Sequence, residues 1–516
     1  MDVDLLLSNG QIVDVDAGSV RRADVAIRGE TIRAVCDRFQ GTAREVLDCS
    51  GLVIAPGFVD AHVHGDAMLL ADPLHEPAIR QGVTTYIIGQ DGSSYAPGSR
   101  RVVDYFRRYT AGFNGNPDID WGWTGVEEYL ARFDRRVALN VAYLIPNGNL
   151  RLEVVGAEPR KATQAELDRM CALLREGLDA GGIGLSTGLE YVPSRFADTA
   201  ELIALARVLA DRGLPFVSHI RGYAPHRVQG ALEEMRAIHR ASGAAIHISH
   251  FNVKAPLLQW IDEAIGSGMD VTYDTYPYTA GSTILAMVAL PPWAQAGGLQ
   301  AILERLSDRQ VRDRIRQWMA QDCPYSLDHV KLTYIQSPAY RQYEGMMLPD
   351  AARLAGADLC DFVCDVLLAS DLAAGIVHFQ SHRTEADVLA LMRHPAQMAC
   401  SDGIFVGAYP HPRGWGAFAR FVGRYTREGR WSLVEAVRHC STHAVRRFRL
   451  GRRGAIRTGY IADLACFAPD EFEDCATFES GRTPAKGMRH VLVAGTPVLK
   501  NGVRTDALPG RVIQPE

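Results

Sequence analysis

Histidines and carboxylates recur at the ends of short apolar runs in this chain, and their type and spacing could bind a metal ion. His62-Val63-His64 closes the run Phe58 to His62, and the two-residue period of a strand points both imidazoles to one side. His219 closes Pro215 to His219, His250 closes Ala245 to His250, and Asp402 closes Gln397 to Asp402. Four imidazoles and a carboxylate suit a borderline divalent cation such as Zn²⁺. A single His-x-His is ordinary, whereas five such residues at run ends in one fold are not. Two ions held close together need a bridging ligand. A carboxylated lysine on the fourth run would be one, but Gly182 to Thr187 contains no lysine and the nearest is Lys161. Asp91, in Gly89-Gln90-Asp91-Gly92 at the tip of Val83 to Gly89, is either that bridge or a residue capping a turn.

These groups can meet only if the runs are neighbouring strands. Eight candidates are present: Phe58 to His62, Val83 to Gly89, Leu139 to Leu144, Gly182 to Thr187, Pro215 to His219, Ala245 to His250, Asp270 to Thr275 and Gln397 to Asp402. Helical patterns such as Ala200 to Arg212 and Val228 to Ala241 separate several of them, which predicts βαβ units closing into an α/β fold, a (β/α)₈ barrel. The ligand candidates then share the C-terminal face, where barrels of this kind carry their chemistry. Residues 286–380 are too many for a simple crossover and predict an inserted subdomain near the barrel mouth. Residues 1–55 and 455–516 share a different texture, short β-rich runs with turn signals, and predict one small β-sandwich built from both termini. Asn9-Gly10, Arg28-Gly29 and Ala494-Gly495 are its expected hairpin turns. The barrel is expected over residues 56–454.

Composition narrows the class further. A chain of 516 residues with 47% hydrophobic and 22% charged residues builds a large soluble core, and a net charge of −5 leaves no footprint for nucleic acid or a membrane surface. Met1-Asp2-Val3-Asp4 lacks the basic start of a secretory signal, and no apolar run reaches the roughly 20 residues needed to span a bilayer. Ten cysteines without a CxxC pair read as buried thiols, and a cytoplasmic location is expected.

Further motifs extend along the chain: Pro56-Gly57-Phe58-Val59-Asp60-Ala61-His62-Val63-His64, Gly82-Val83-Thr84-Thr85, Gly184-Leu185-Ser186-Thr187-Gly188-Leu189-Glu190-Tyr191, Ser218-His219-Ile220-Arg221 and Ile248-Ser249-His250. Tyr276-Pro277-Tyr278-Thr279-Ala280-Gly281-Ser282-Thr283, Ser401-Asp402-Gly403, His411-Pro412-Arg413 and Gly459-Tyr460-Ile461-Ala462-Asp463-Leu464 follow. Together they resemble the N-acyl-D-amino-acid deacylases (D-aminoacylases) of the amidohydrolase superfamily over nearly the whole chain. The resemblance implies His62, His64, His219, His250 and Asp402 as the metal-site set, and Tyr276, Ser282 and Arg413 as the holders of a substrate carboxylate. Three departures stand out. Asp91 occupies the place of a cysteine ligand, Asn252 that of a carboxylate-binding lysine, and Tyr223 that of an acidic residue. Lys254 either compensates for the missing lysine or is a solvated surface residue.

The implied reaction is metal-dependent hydrolysis of a small-molecule amide carrying a carboxylate, with one or two zinc ions or another divalent metal. Asp402 would take a proton from the attacking water and deliver it to the departing amine. Arg221 is expected to support His219, and His378, His382 and His411 to be surface or supporting residues. Ser186 lacks the surroundings of a serine nucleophile. Two alternatives stay open: a hydrolase of cyclic amides such as hydantoins or dihydropyrimidines, against which the missing fourth-run lysine argues, and a barrel serving only in assembly, against which the retained ligand set argues.

Overall fold

The computed structural model describes residues 2–516. Its centre is an eight-stranded parallel sheet in chain order: Phe58–Asp60, Val83–Ile88, Asn140–Pro146, Gly182–Gly188, Phe216–His219, Ile246–Ile248, Val271–Thr275 and Gln397–Ala399. All eight lie within or overlap the runs expected from the sequence. They are almost wholly buried, which is why they read as continuous apolar runs rather than alternating ones. Closure between the last strand and the first comes from backbone bonds: Ala61 N–H donates to Ala399 O at 3.3 Å and Asp402 N–H to His62 O at 2.8 Å. Val63–His64 then pairs in parallel with Gly403–Ile404. Asp60 pins the seam by accepting the Ser401 amide at 2.8 Å and the Ser401 hydroxyl.

The two ends of the chain build one continuous nine-stranded sheet, with the N-terminal strands Asp2–Asp14 and Val53–Pro56 side by side and Leu464–Phe467 joining the latter. It encloses a small core of its own from Leu5, Leu7, Val25, Ile27, Leu464 and Leu492. Ala494-Gly495 forms the expected hairpin turn with both φ positive, 47° and 76°. The Arg28-Gly29 turn also joins two antiparallel strands.

Asn9-Gly10, expected as a hairpin, is instead a bulge within the single strand Asp2–Asp14. Asn9 takes a positive φ of 63°, and a Cβ at Gly10 would lie 2.3 Å from Ile54 Cδ1, so the glycine answers a close approach rather than a chain reversal.

Buried Asp463 fastens this sheet to the barrel. It accepts the Ala494 amide at 2.7 Å, Arg453 Nε at 2.9 Å and Asn140 Nδ2 at 3.0 Å, the last from the third barrel strand.

Between the seventh and eighth barrel strands lies an antiparallel sheet of Ala280–Ile284, Ala374–Phe379 and Val330–Ile335, in that spatial order. Helices Leu299–Ser307, Arg309–Gln321 and Leu359–Ala369 accompany it. Its first strand begins at Ala280, ahead of the residue 286 expected for the insertion, because Tyr276 to Thr283 belongs partly to the barrel mouth and partly to this sheet. No helix among the described residues is long and apolar enough to cross a membrane.

Candidate functional site

The C-terminal ends of the barrel strands bring all six metal-ligand candidates together. Asp91 lies at their centre: its carboxylate oxygens are 3.5 Å from His62 Nε2, 3.7 Å from His64 Nε2, 3.5 Å from His219 Nδ1 and 3.6 Å from His250 Nε2. Asp402 Oδ1 is 3.3 Å from His64 Nε2 and 3.8 Å from His62 Nε2. Two overlapping groups each bring ligand atoms within 4.8 Å of one another, close enough to share a metal ion: His62, Asp91 and His250 in one, His62, His64 and Asp402 in the other.

Local backbone geometry aims these groups. Asp91, His250 and Asp402 all adopt positive φ, at 54°, 31° and 48°, where the chain turns sharply out of its strand. Aspartate tolerates that region; histidine does so at a cost held by neighbouring bonds. For His250 the bond comes from Asp274, whose Oδ1 accepts its amide at 2.7 Å. For Asp91, Ser186 on the fourth strand supports the turn: its hydroxyl donates to Gly89 O and accepts the Gly92 amide at 3.1 Å. That is the role of Ser186, not nucleophilic chemistry.

The electrostatics favour a cation. Burial disfavours charge on His62, yet Asp91, Asp274 and Asp402 outweigh it and raise the imidazole to about 9. His219 is likewise raised to about 9, with burial opposed by Asp91 and Glu190. Burial pushes Asp91 up, but His62, His219 and His250 hold it well below the usual carboxylate range. Asp402, also pushed up by burial, is brought to about 2 by Arg413 and then His64. Meanwhile His62 Nε2 and Asp91 Oδ1 are buried without hydrogen-bond partners, and the ring nitrogens His219 Nδ1 and His250 Nε2 converge to 3.0 Å. Buried imidazole nitrogens and carboxylate oxygens converging on one point in this way fit one or two divalent ions, which would displace the protons that His62 and His219 otherwise hold.

Above the cluster is a cavity whose wall includes Asn252, Tyr276, Ser282, Asp402 and Arg413. Arg413 is fully buried, with Nη1 2.8 Å from Asp402 Oδ2 and its guanidinium 4.5 Å from the Tyr276 ring centre. Ser282 lines the cavity, but its hydroxyl donates to Ile376 O at 2.7 Å. Asn252 accepts the Thr275 hydroxyl at 2.9 Å through its side-chain oxygen, which leaves its NH₂ as a donor.

Other expectations fall out differently. Lys254 is exposed and stays outside the cavity wall. Arg221 does not support His219; it pairs with Glu234 at 2.9 Å and caps the carbonyls of Arg195 and Ala197. Tyr223, at the place of an acidic residue, donates instead to Ser249 O at 2.7 Å. His378 lines the cavity, while His411 is buried and accepts the Arg413 amide at 3.0 Å.

Two acids that sequence reasoning left without a role buttress the histidines. Asp274 Oδ2 faces His62 Nδ1 at 3.8 Å and His247 Nε2 at 2.8 Å, and Glu190 Oε2 faces His219 Nε2 at 3.1 Å. Asp274 was discoverable as the one charged residue inside the strand Val271–Thr275; Glu190 sits within the Gly184–Tyr191 motif.

Residues 45–499 match the Amidohydrolase family, and the chain belongs to it. It is a hydrolase of amide C–N bonds by class. N-acyl-D-glutamate deacylase of Alcaligenes xylosoxydans xylosoxydans is 32% identical over 99% of this chain and 96% of its own length. D-aminoacylase of the same organism is 32% identical over 99% and 97%. The crystal structure of N-acyl-D-glutamate deacylase from Bordetella bronchiseptica, complexed with zinc and a phosphonate mimic of the tetrahedral intermediate, superposes with a TM-score of 0.83 at 32% identity, covering 100% of both chains. A D-aminoacylase structure described with a binuclear metal centre gives 0.82 at 31%, covering 99% of this chain and 100% of that one. A D-hydantoinase at 14% identity and a TM-score of 0.58 shares the fold.

Proposed function

We propose that this chain is a zinc-dependent deacylase that hydrolyses N-acyl-D-amino acids to a D-amino acid and a carboxylate. One observation carries the reading: Asp402 lies between two imidazoles of the ligand cluster and the buried guanidinium of Arg413, at 3.3 Å from His64 Nε2 and 2.8 Å from Arg413 Nη1. A proton-accepting carboxylate thus adjoins both a hydrolytic centre and a cation matched to a substrate carboxylate.

His62, His64, Asp91, His219, His250 and Asp402 would hold the metal, with the Asp91 carboxylate within 3.7 Å of all four imidazoles. A divalent ion bound there supplies acidification of water and polarisation of the scissile carbonyl. Asp402 takes the proton of the attacking water and passes it to the leaving nitrogen, so that the amine departs neutral. Arg413 offers a planar fork to the substrate carboxylate, Tyr276 supports that fork from its ring face, and the Asn252 amide donates where the family carries a lysine. Ser282 joins them by turning its hydroxyl from Ile376 O to the substrate.

The relatives' names support the D-configuration and the acyl-amide bond. The test is a panel of N-acyl amino acids of both configurations, with hydantoin and dihydrouracil rings alongside. Release of free D-amino acid is expected; ring opening without deacylation would overturn the reading.

A further inference from the structure

Glu190 is 3% exposed, lies within the motif Gly184 to Tyr191, and has no part in the chemistry above. It stands just past the fourth barrel strand, and its Oε2 receives His219 Nε2 at 3.1 Å. A neutral imidazole carries one N–H. If Glu190 takes that proton's hydrogen bond at Nε2, the lone pair is left on Nδ1, which is the atom facing Asp91 Oδ2 at 3.5 Å. The other three imidazoles of the cluster face Asp91 through Nε2. His219 is therefore used the other way round, and Glu190 is the group that selects this tautomer.

The same carboxylate has a second partner of different origin. Tyr325 donates its hydroxyl to Glu190, 3.0 Å from Oε1 and 3.1 Å from Oε2. Tyr325 lies between helix Arg309–Gln321 and strand Val330–Ile335 of the inserted subdomain, and its ring rests edge-on against His378 of the same sheet, 5.6 Å between centres. A parallel contact joins the same two bodies, Tyr191 hydroxyl to Thr283 hydroxyl at 2.8 Å. The insertion thus touches the metal-site histidine through one carboxylate.

We infer that Glu190 is a positioning residue that fixes His219 as an Nδ1 ligand, and that Tyr325 makes this support depend on the seating of the inserted subdomain over the barrel mouth. The inference rests on the metal-centre reading but not on the identity of the substrate. Carboxylates that orient a ligating histidine typically contribute about 10- to 100-fold in metal affinity or activity.

The experiment measures zinc affinity of the purified full-length enzyme by competition with a chelator, for wild type, Glu190→Gln, Tyr325→Phe and the double variant. Glu190→Gln is expected to lose about tenfold in zinc affinity, because a neutral amide oxygen accepts the His219 hydrogen bond more weakly. Tyr325→Phe is expected to lose less, in the same direction, and the double variant to be no worse than Glu190→Gln, since the hydroxyl acts only through that carboxylate. Wild-type affinity in Glu190→Gln would overturn the proposal. Additive losses in the double variant would also overturn it, showing that Tyr325 serves packing alone. Should Glu190→Gln fail to fold, Tyr325→Phe decides by itself: it deletes one hydroxyl, and zinc retention equal to wild type refutes the link. Because zinc is read without substrate, failure of the deacylase assay would leave these outcomes interpretable.

Discussion

Replacing Asp91 by asparagine isolates the charge at the heart of the cluster. Asp91 has a positive φ of 54°, which asparagine adopts readily, and its turn is held by Ser186 bonding Gly89 and Gly92, so the backbone should keep its course. What disappears is one negative charge within 3.5 to 3.7 Å of four imidazole nitrogens. Two unit charges about 4 Å apart at an effective dielectric of about 20 interact by about 4 kcal/mol. At about 1.4 kcal/mol per decade, that is roughly a thousandfold in affinity for a bound cation. Asp91→Asn should therefore bind zinc at least about a thousandfold more weakly in chelator competition, lose turnover in parallel, and keep its circular dichroism spectrum. A variant that held zinc within tenfold of wild type would refute the reasoning and return Asp91 to the role of a turn residue.

Asp402→Asn should weaken zinc binding less than Asp91→Asn, because Asp402 faces two imidazoles rather than four, and at saturating zinc should lose about 10²- to 10⁴-fold in kcat, the usual contribution of a positioned acid–base group; near-wild-type kcat at saturating zinc would remove Asp402 from proton transfer. Arg413→Ala should cost more against an N-acyl amino acid than against its neutral amide, by about 1.5 to 3 kcal/mol in kcat/KM, since a charged hydrogen bond is lost only with the acid. Equal losses on both would mean that Arg413 acts only through Asp402, 2.8 Å away. Zinc affinity should fall with decreasing pH. Without metal, His62 and His219 hold protons up to about 9, so binding must displace them, at a cost of up to about tenfold per proton for each pH unit below that value. Titrations at pH 6 and 8 check the sign, and a flat profile would contradict it.

The barrel strands were legible because each is buried on both faces and set apart from the next by helices, which leaves short buried runs such as Val141 to Ile145. The clustering of His62, His64, His219, His250 and Asp402 was legible for a related reason: a residue at a strand's C-terminal end has one place to go in a closed barrel. What resisted reading were contacts set by loops far apart in sequence. Asn9-Gly10 carries the composition of a hairpin turn, and only the approach of Ile54 shows that it is a bulge. Arg221 follows a ligand candidate along the chain, yet the turn after the strand swings it out to Glu234. The contacts that Glu190 makes with His219 and Tyr325 span separations of 29 and 135 residues, and no local pattern encodes them. Burial of Arg413 against Asp402 was hidden for the same reason, since an arginine in the segment after the last barrel strand is ordinarily a surface group.

On the proposed reading, amide hydrolysis depends on metal held by the six-residue cluster. The most direct test of that dependence is the hydrolysis of one N-acyl-D-amino acid and its L-enantiomer by enzyme stripped with a chelator and then restored with measured amounts of zinc. The expected result is loss of D-selective turnover on stripping and its return in proportion to one or two equivalents of zinc. Full D-selective turnover by protein free of metal, or restored zinc without any hydrolysis of either enantiomer, would contradict it.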